Sequence, residues 1–340
     1  MNRFFDANDA RAQIAKYIMN GSMDGTDARM LGDVERITVS ALKVESFDEP
    51  KTLRLAVDTP DGLEEAAFRV PGFLCSKTLP PILRSVCARG GIDGSASVTI
   101  DDRDGRRNEV VEHAKKLRQH VKVTAFGSTL YSTLQEKAAD IFKVFEDNSH
   151  HINIRPSDRK LWDGEICFDF HSRYFTERKH VPSVKHAPFP QEVDPLHILE
   201  DLKGEDLLHL EENDVQYCEK VYGDDGSVSY VAMDPKKFQV GDFVELTVTF
   251  VCHPVKKNEF VVIPTLRALA LLSSELRQQS EQRLRESRDR QGAASQSGSP
   301  AVRRSLKRKR LNVEDDRDGK RRADLGENMV VERLSKLNTR

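Results

Sequence analysis

The sequence is poor in cysteine and has no closely spaced cysteine pair. Its 340 residues include five cysteines, odd in number and scattered without a C-x-x-C pair: Cys75, Cys87, Cys167, Cys218 and Cys252. This pattern predicts neither a disulfide framework nor a zinc site. We expect reduced thiols in the core or in strands, as in a cytosolic or nuclear protein.

Long apolar runs are also missing. No stretch approaches the roughly 20 apolar residues that a membrane-spanning helix needs. Residues 1–9 turn acidic at once and lack the apolar segment of a secretory signal. We therefore expect a soluble, intracellular protein without a membrane partner.

Familiar catalytic and cofactor motifs are absent, including G-x-G-x-x-G, the P-loop, G-x-S-x-G and H-E-x-x-H. The best candidate is a row of Glu165, Asp169 and His171, which one strand face would hold together and which could ligate a metal ion for hydrolysis. Such a row is more often the wet side of a half-buried strand. We predict no catalytic, cofactor-binding or metal-binding residue, although a site built from distant residues would leave no motif.

Charge is distributed unevenly along the chain. The formal net charge is -2, yet residues 276–340 hold 18 Lys and Arg against 10 Asp and Glu, and the preceding residues hold 35 against 45. The body is therefore acidic and the end of the chain is basic. An acidic body argues against a fold that binds nucleic-acid backbone over its whole surface, because such binding relies on clustered Lys and Arg.

Two stretches show the alternation that is typical of strands. Residues 215–222 and 227–231 flank the turn sequence Gly223-Asp-Asp-Gly226, which predicts an antiparallel hairpin. Residues 238–252 predict a long strand, with 259–272 as its partner. One face of the long strand is apolar and the other is polar: Val244, Leu246, Val248 and Phe250 against Glu245, Thr247 and Thr249.

Helical periodicity is clearest in residues 129–145, where apolar residues recur at spacings of three and four: Leu130, Leu134, Ala138, Ile141 and Phe145. Because strands cluster and helices do not alternate with them, we predict an α+β fold of mostly antiparallel strands with a few packed helices. We divide the chain into a short helix and linker (1–32), an α+β half (33–147), a β-rich half ending in antiparallel hairpins (148–274) and a charged, disordered tail (275–340).

Basic clusters in the tail carry the clearest functional signal. Their two-part spacing resembles a nuclear localisation signal, which an import receptor reads along an extended chain. The residues are Arg303, Arg304, Lys307, Arg308, Lys309, Arg310, Lys320, Arg321 and Arg322. The alternative interpretation is a solvated charge run without a receptor.

Nucleic-acid association is the second function that these residues suggest. The tail could neutralise phosphates through counterion release, although it has no aromatic residue for base stacking. Gly241 before Asp242 at a strand start is also found in small oligonucleotide-binding barrels. The predicted outward row of Glu245, Thr247 and Thr249 would disfavour phosphate there.

Residues 148–272 resemble an uncharacterised protein family that is abundant in mushroom-forming fungi. The similarity rests on Phe238-Gln-Val-Gly-Asp-Phe-Val-Glu245 through residues 266–272, together with Asn148-Ser-His-His151 and Trp162-Asp-Gly-Glu165. It implies a eukaryotic host and assigns no functional residue. We therefore expect a nuclear binding or interaction protein without catalytic activity, with nucleic-acid association through the tail as the alternative and a metal-dependent hydrolase third.

Overall fold

The computed structural model describes residues 1–21, 29–31, 39–82, 110–149, 152–155, 160–223, 227–256 and 258–296. Its helices are α1 (Ala7–Gly21), α2 (Thr129–Asp147), α3 (Ile198–Lys203) and α4 (Glu275–Gln296). Its strands are β1 (Arg29–Met30), β2 (Lys43–Asp48), β3 (Lys51–Thr59), β4 (Gly62–Glu65), β5 (Phe68–Thr78), β6 (Arg118–Thr124), β7 (Asn153–Arg155), β8 (Lys160–Trp162), β9 (Glu165–Arg173), β10 (Thr176–Glu177), β11 (Leu207–Leu208), β12 (Gln216–Tyr222), β13 (Val228–Ala232), β14 (Phe243–Lys256) and β15 (Glu259–Ser273). The predicted α+β class is confirmed, and most strand pairs are antiparallel.

Five strands form a closed ring. Strand β14 pairs with both β5 and β15, and the ring continues from β15 through β9 and β6 back to β5. The link between β15 and β9 is one parallel pairing, Thr265 with His171, whereas the other four links are antiparallel. Strands from residues 33–147 and from residues 148–274 therefore share one sheet.

The β14–β15 hairpin is the longest ladder among the described strands, with Leu246 opposite Leu269 and Val251 opposite Ile263. Both alternation-based hairpin predictions are confirmed, since β12 and β13 also pair antiparallel. The predicted apolar face of β14 is fully buried. Asn258, at the reversal, has φ 60°, a left-handed conformation that asparagine tolerates better than most residues.

Helix α2 packs against this buried face and confirms the predicted helix. Leu134, Ile141 and Phe145 are buried, and the ring of Phe142 lies 6.1 Å from that of Phe250. The Tyr131 hydroxyl donates a hydrogen bond of 3.0 Å to the Pro71 carbonyl. Position 72 has to be glycine for this approach, because a Cβ there would overlap the Tyr131 hydroxyl.

The opposite face of β14 differs from the prediction. Glu245 and Thr249 are buried and Thr247 is half-buried, although alternation predicts a solvent-facing row. Helix α1 lies over this face, with the Tyr17 ring 5.5 Å from that of Phe243 in an edge-on contact. The prediction was wrong because the covering helix comes from the other end of the sequence, where strand periodicity gives no information about it.

Helix α4 occupies the start of the segment predicted as a disordered tail. Arg277 Nε lies 2.5 Å from Asp242 Oδ1, and the Asn2 amide donates to the buried Ser280 hydroxyl at 3.1 Å. The first turns of α4 therefore pack on the body, so the predicted boundary at 275 falls too early. Residues 297–340, with all the predicted localisation residues, lie outside the described part. Among the described helices, none is long and apolar enough to cross a membrane.

Candidate functional site

A small cavity lies beside the ring where β3, β9, β14 and β15 approach one another. Its volume is about 40 Å³. One water molecule needs roughly 10–15 Å³ of such space, so the cavity has room for a few waters or for one small ion. Its chemistry comes from three arginines, two histidines and one glutamate: Arg54, Arg173, Arg267, His171, His253 and Glu212.

Strand periodicity places the two residues that β9 contributes. His171 and Arg173 are separated by one residue, so both side chains leave the same face of the strand. Phe170, on the other face, is buried in the core. The pairing of His171 with Thr265 brings this face of β9 against β15, which carries Arg267. The pairing of β9 with β15, which closes the ring, therefore brings these residues of the cavity together.

Two of the three arginines are already bound by carboxylates. Arg54 forms an ion pair with Glu212. Arg267 binds Glu65 through two hydrogen bonds, from Nε at 2.9 Å and from Nη2 at 2.7 Å, and also donates to the Glu212 carbonyl. Such two-point contacts fix a guanidinium in one orientation.

Arg173 is different from these two arginines. Among the described residues, no hydrogen bond or ion pair reaches its guanidinium. Burial lowers its pKa, and the carboxylates of Glu212 and Glu177 offset this loss only through longer-range attraction. Glu212 is bound by Arg54, and Glu177 by Lys115 and Lys179. A partly buried positive charge therefore borders the cavity without a direct anionic partner in the described chain.

The two imidazoles of the cavity are neutral near pH 7. Burial, followed by the charge of Arg118, lowers the pKa of His171 to about 4. Burial, followed by the charges of Arg173 and Arg54, lowers the pKa of His253 to about 3. The Arg118 guanidinium, whose charge acts on His171, donates to the carbonyls of Lys115 and Leu117 at 2.6 and 2.8 Å.

A second charged cluster lies under helix α1, on the polar face of β14. Glu245 accepts hydrogen bonds from Tyr17 at 2.7 Å and from Tyr230 at 3.3 Å, and it lies 3.5 Å from the Arg69 guanidinium. The Lys220 ammonium donates to the Tyr17 hydroxyl at 2.8 Å. It also lies 4.9, 5.7 and 5.8 Å from the ring centres of three tyrosines, at positions 17, 222 and 230. We call these residues the Glu245 cluster; its carboxylate and its cations are both buried.

The predicted metal-ligand candidates do not meet at one point. Asp169 is bound by His120, with Oδ1 and Nε2 2.5 Å apart, and by Lys122 at 3.7 Å. His171 faces the arginine-lined cavity, and Glu165 stands at the start of β9. No group of three histidine, cysteine, aspartate or glutamate side chains in the described part could hold a metal ion.

Sequence reasoning singled out His171 but missed the residues around it. Arg54, Arg267 and His253 come from three different strands, and only the ring brings them together. Arg173 could have been found from the sequence, because it lies two residues after His171 and therefore on the same face of the strand. The basic residues predicted as a localisation signal lie outside the described residues.

Comparison with known proteins adds no assignment. No protein-family model matches the chain, and no curated protein matches it. Three guanidinium groups outnumber the one carboxylate in the lining, Glu212, and the two imidazoles are neutral, so the cavity favours a small anion.

Proposed function

We propose that this protein is a binding protein that holds a small anionic group in the cavity beside β9, and that it acts in the nucleus without catalysing a reaction. The observation that carries this proposal is Arg173. Its neighbours Arg54 and Arg267 each have a carboxylate, whereas its own guanidinium has no direct partner among the described residues.

The electrostatic reason is the cost of burying a charge. A cation removed from water loses hydration, and this loss is offset only by an ion pair or by strong hydrogen bonds. Burial lowers the pKa of Arg173, which reflects this loss of hydration. An anion bound beside Arg173 would restore the missing interactions, so binding would remove an existing electrostatic cost.

Isothermal titration calorimetry with inorganic phosphate tests this function. We expect saturable binding of one phosphate per chain at low ionic strength, and at least a tenfold loss of affinity in Arg173→Met. The matched control is Arg155→Met, because Arg155 is an exposed arginine on β7 that pairs with Glu259 at 2.9 Å. Binding that is absent from the wild type, or equal in the two variants, would refute the proposal.

The nuclear part of the proposal rests on the basic clusters of residues 303–322. An import receptor would bind them as two groups of cations on an extended chain. A fluorescent reporter fused to residues 303–322 should accumulate in the nucleus of a eukaryotic cell. A reporter with alanine at 307–310 and 320–322 is the control and should not. A cytoplasmic distribution of the first reporter would contradict the proposal.

Nucleic-acid association through the same basic clusters is a second candidate. Because α4 packs on the body through Arg277 and Ser280, the informative truncation ends after Gln296 and keeps this helix. Salt-dependent retention of the full chain on DNA, lost in the truncated chain, would support this candidate. Retention of both chains would assign DNA contact to the body, and retention of neither would eliminate the candidate.

A further inference from the structure

We infer that the anion recognised by this cavity is a terminal phosphate group, a phosphate monoester, and not the phosphodiester of a nucleic-acid backbone. This inference rests on the proposed anion-binding function and names its ligand class. Three features of the cavity support it: its size, the number of strands that supply donors, and the apolar residues between them.

The first feature is size. A cavity of about 40 Å³ holds one compact tetrahedral group and little else. A monoester enters with its three terminal oxygens first and leaves its single carbon substituent outside. A diester has carbon substituents on two of its oxygens, so it presents only two terminal oxygens to the donors of the cavity instead of three.

The second feature is the arrangement of donors. Arg173 from β9 supplies guanidinium donors that no described residue binds, while Arg54 from β3 and Arg267 from β15, each held by a carboxylate, add positive charge from two further strands. The imidazoles of His171 and His253 add neutral donors from two strands. A carboxylate has two coplanar oxygens and is satisfied by one guanidinium in a two-point contact. Three oxygens on a tetrahedral phosphorus can use donors from several directions at once.

The third feature is the apolar part of the lining. Val251 is buried, and Val251 and Ile263 stand opposite each other in the β14–β15 ladder. These side chains keep water away from part of the cavity, which strengthens each charged contact inside it. A doubly charged group gains more from this environment than a singly charged one, and a phosphate monoester carries a charge of about −1.5 to −2 at pH 7.

Calorimetric titration with three small anions at one ionic strength tests the ligand class: methyl phosphate, dimethyl phosphate and acetate. We expect methyl phosphate to bind at least tenfold more tightly than either of the others. In Arg173→Met this preference should disappear. Arg173→Lys keeps the charge without the forked donor and should lose affinity for methyl phosphate by a smaller factor. Far-UV circular dichroism of both variants verifies that they fold.

The possible failures are distinguishable. If dimethyl phosphate or acetate binds as tightly as methyl phosphate and the binding depends on Arg173, the ligand class is wrong and the anion-binding function stands. If none of the three binds, both proposals fail. O-phosphoserine and adenosine 5′-monophosphate carry the same terminal group on different bodies. If one of these two compounds binds more tightly than methyl phosphate, it identifies the source of the phosphate group. If O-phosphoserine and adenosine 5′-monophosphate both bind more weakly than dimethyl phosphate, the inference is overturned.

Discussion

The Glu245 cluster and the cavity beside β9 both contain partly or fully buried cations, yet their charges are balanced differently. In the Glu245 cluster, one carboxylate accepts from two tyrosines and faces Arg69, and Lys220 completes the chain of hydrogen bonds. In the cavity, Arg54 and Arg267 have carboxylates, but no described residue makes a direct contact with the Arg173 guanidinium. The first cluster sets a carboxylate of the chain beside its cations, whereas the second contains an arginine that could take up a further anion.

This difference separates a structural role from a binding role. A buried network in which a carboxylate faces the cations fixes the position of the elements that carry its members, here α1, β5, β12, β13 and β14. A buried charge without a counterpart costs stability and is retained where a ligand supplies the counterpart. Opposite responses to mutation in the two regions would therefore test this distinction.

The largest expected effect is that of Glu245→Gln. The substitution removes the carboxylate that balances Arg69 and Lys220, both buried, and should lower the free energy of unfolding by about 3–5 kcal/mol. Urea denaturation followed by circular dichroism measures this loss. Glu259→Gln is the control, because its ion pair with Arg155 is solvent-exposed and its removal should leave stability almost unchanged. Equal effects of the two substitutions would contradict a structural role for the Glu245 cluster.

The next largest effect is a pH dependence of the free energy of unfolding, caused by the two histidines of the cavity. The pKa values of His171 and His253 in the folded protein are about 4 and about 3, below the ordinary 6.5. As the pH falls below 6.5, the unfolded chain binds protons that the folded chain does not, so these groups lower stability from pH 6.5 downward. Their contribution is small above pH 7 and should reach roughly 4 kcal/mol near pH 5.

Urea denaturation at a series of pH values, with and without phosphate, measures this contribution. The double substitution His171→Asn and His253→Asn should flatten the dependence between about pH 7 and pH 5. Phosphate should reduce the dependence in the wild type, because a bound anion favours protonated imidazole. An unchanged slope in the double variant would show that other groups cause the acid sensitivity.

A smaller loss is expected for Lys220→Met. The ammonium donates to Tyr17 and lies against three tyrosine rings, so its removal should cost about 1–2 kcal/mol. Methionine retains most of the apolar length of the side chain, which limits the packing loss. A gain in stability in the urea experiment would contradict a stabilising role for Lys220 in the Glu245 cluster.

The smallest expected change in the free energy of unfolding is a gain, not a loss. Arg173→Met removes a partly buried cation without a direct partner in the described chain and should raise stability by about 1 kcal/mol in anion-free buffer. In saturating phosphate the order should reverse, because only the wild type gains from binding. A loss of stability in both buffers would indicate that Arg173 has a structural role like that of Lys220.

Local features of the fold could be predicted from the sequence, and contacts across the ring could not. Helix α2 and the hairpins β12–β13 and β14–β15 follow from periodicity that lies within one stretch of chain. The burial of Glu245 could not be predicted, since Tyr17 on α1 covers it from 228 positions away. For the same reason the sequence indicated His171, but not Arg173, Arg54 or Arg267 around it.

Crystallography of the full chain with tungstate, a heavy tetrahedral dianion, would locate an anion beside Arg173. We predict an anomalous peak inside the cavity between β9 and β15, in contact with the Arg173 guanidinium. Loss of this peak in Arg173→Met crystals grown under the same conditions would establish that the site depends on Arg173. Wild-type crystals without tungstate in the cavity, with Arg173 bound instead by a carboxylate of its own chain, would contradict the anion-binding function.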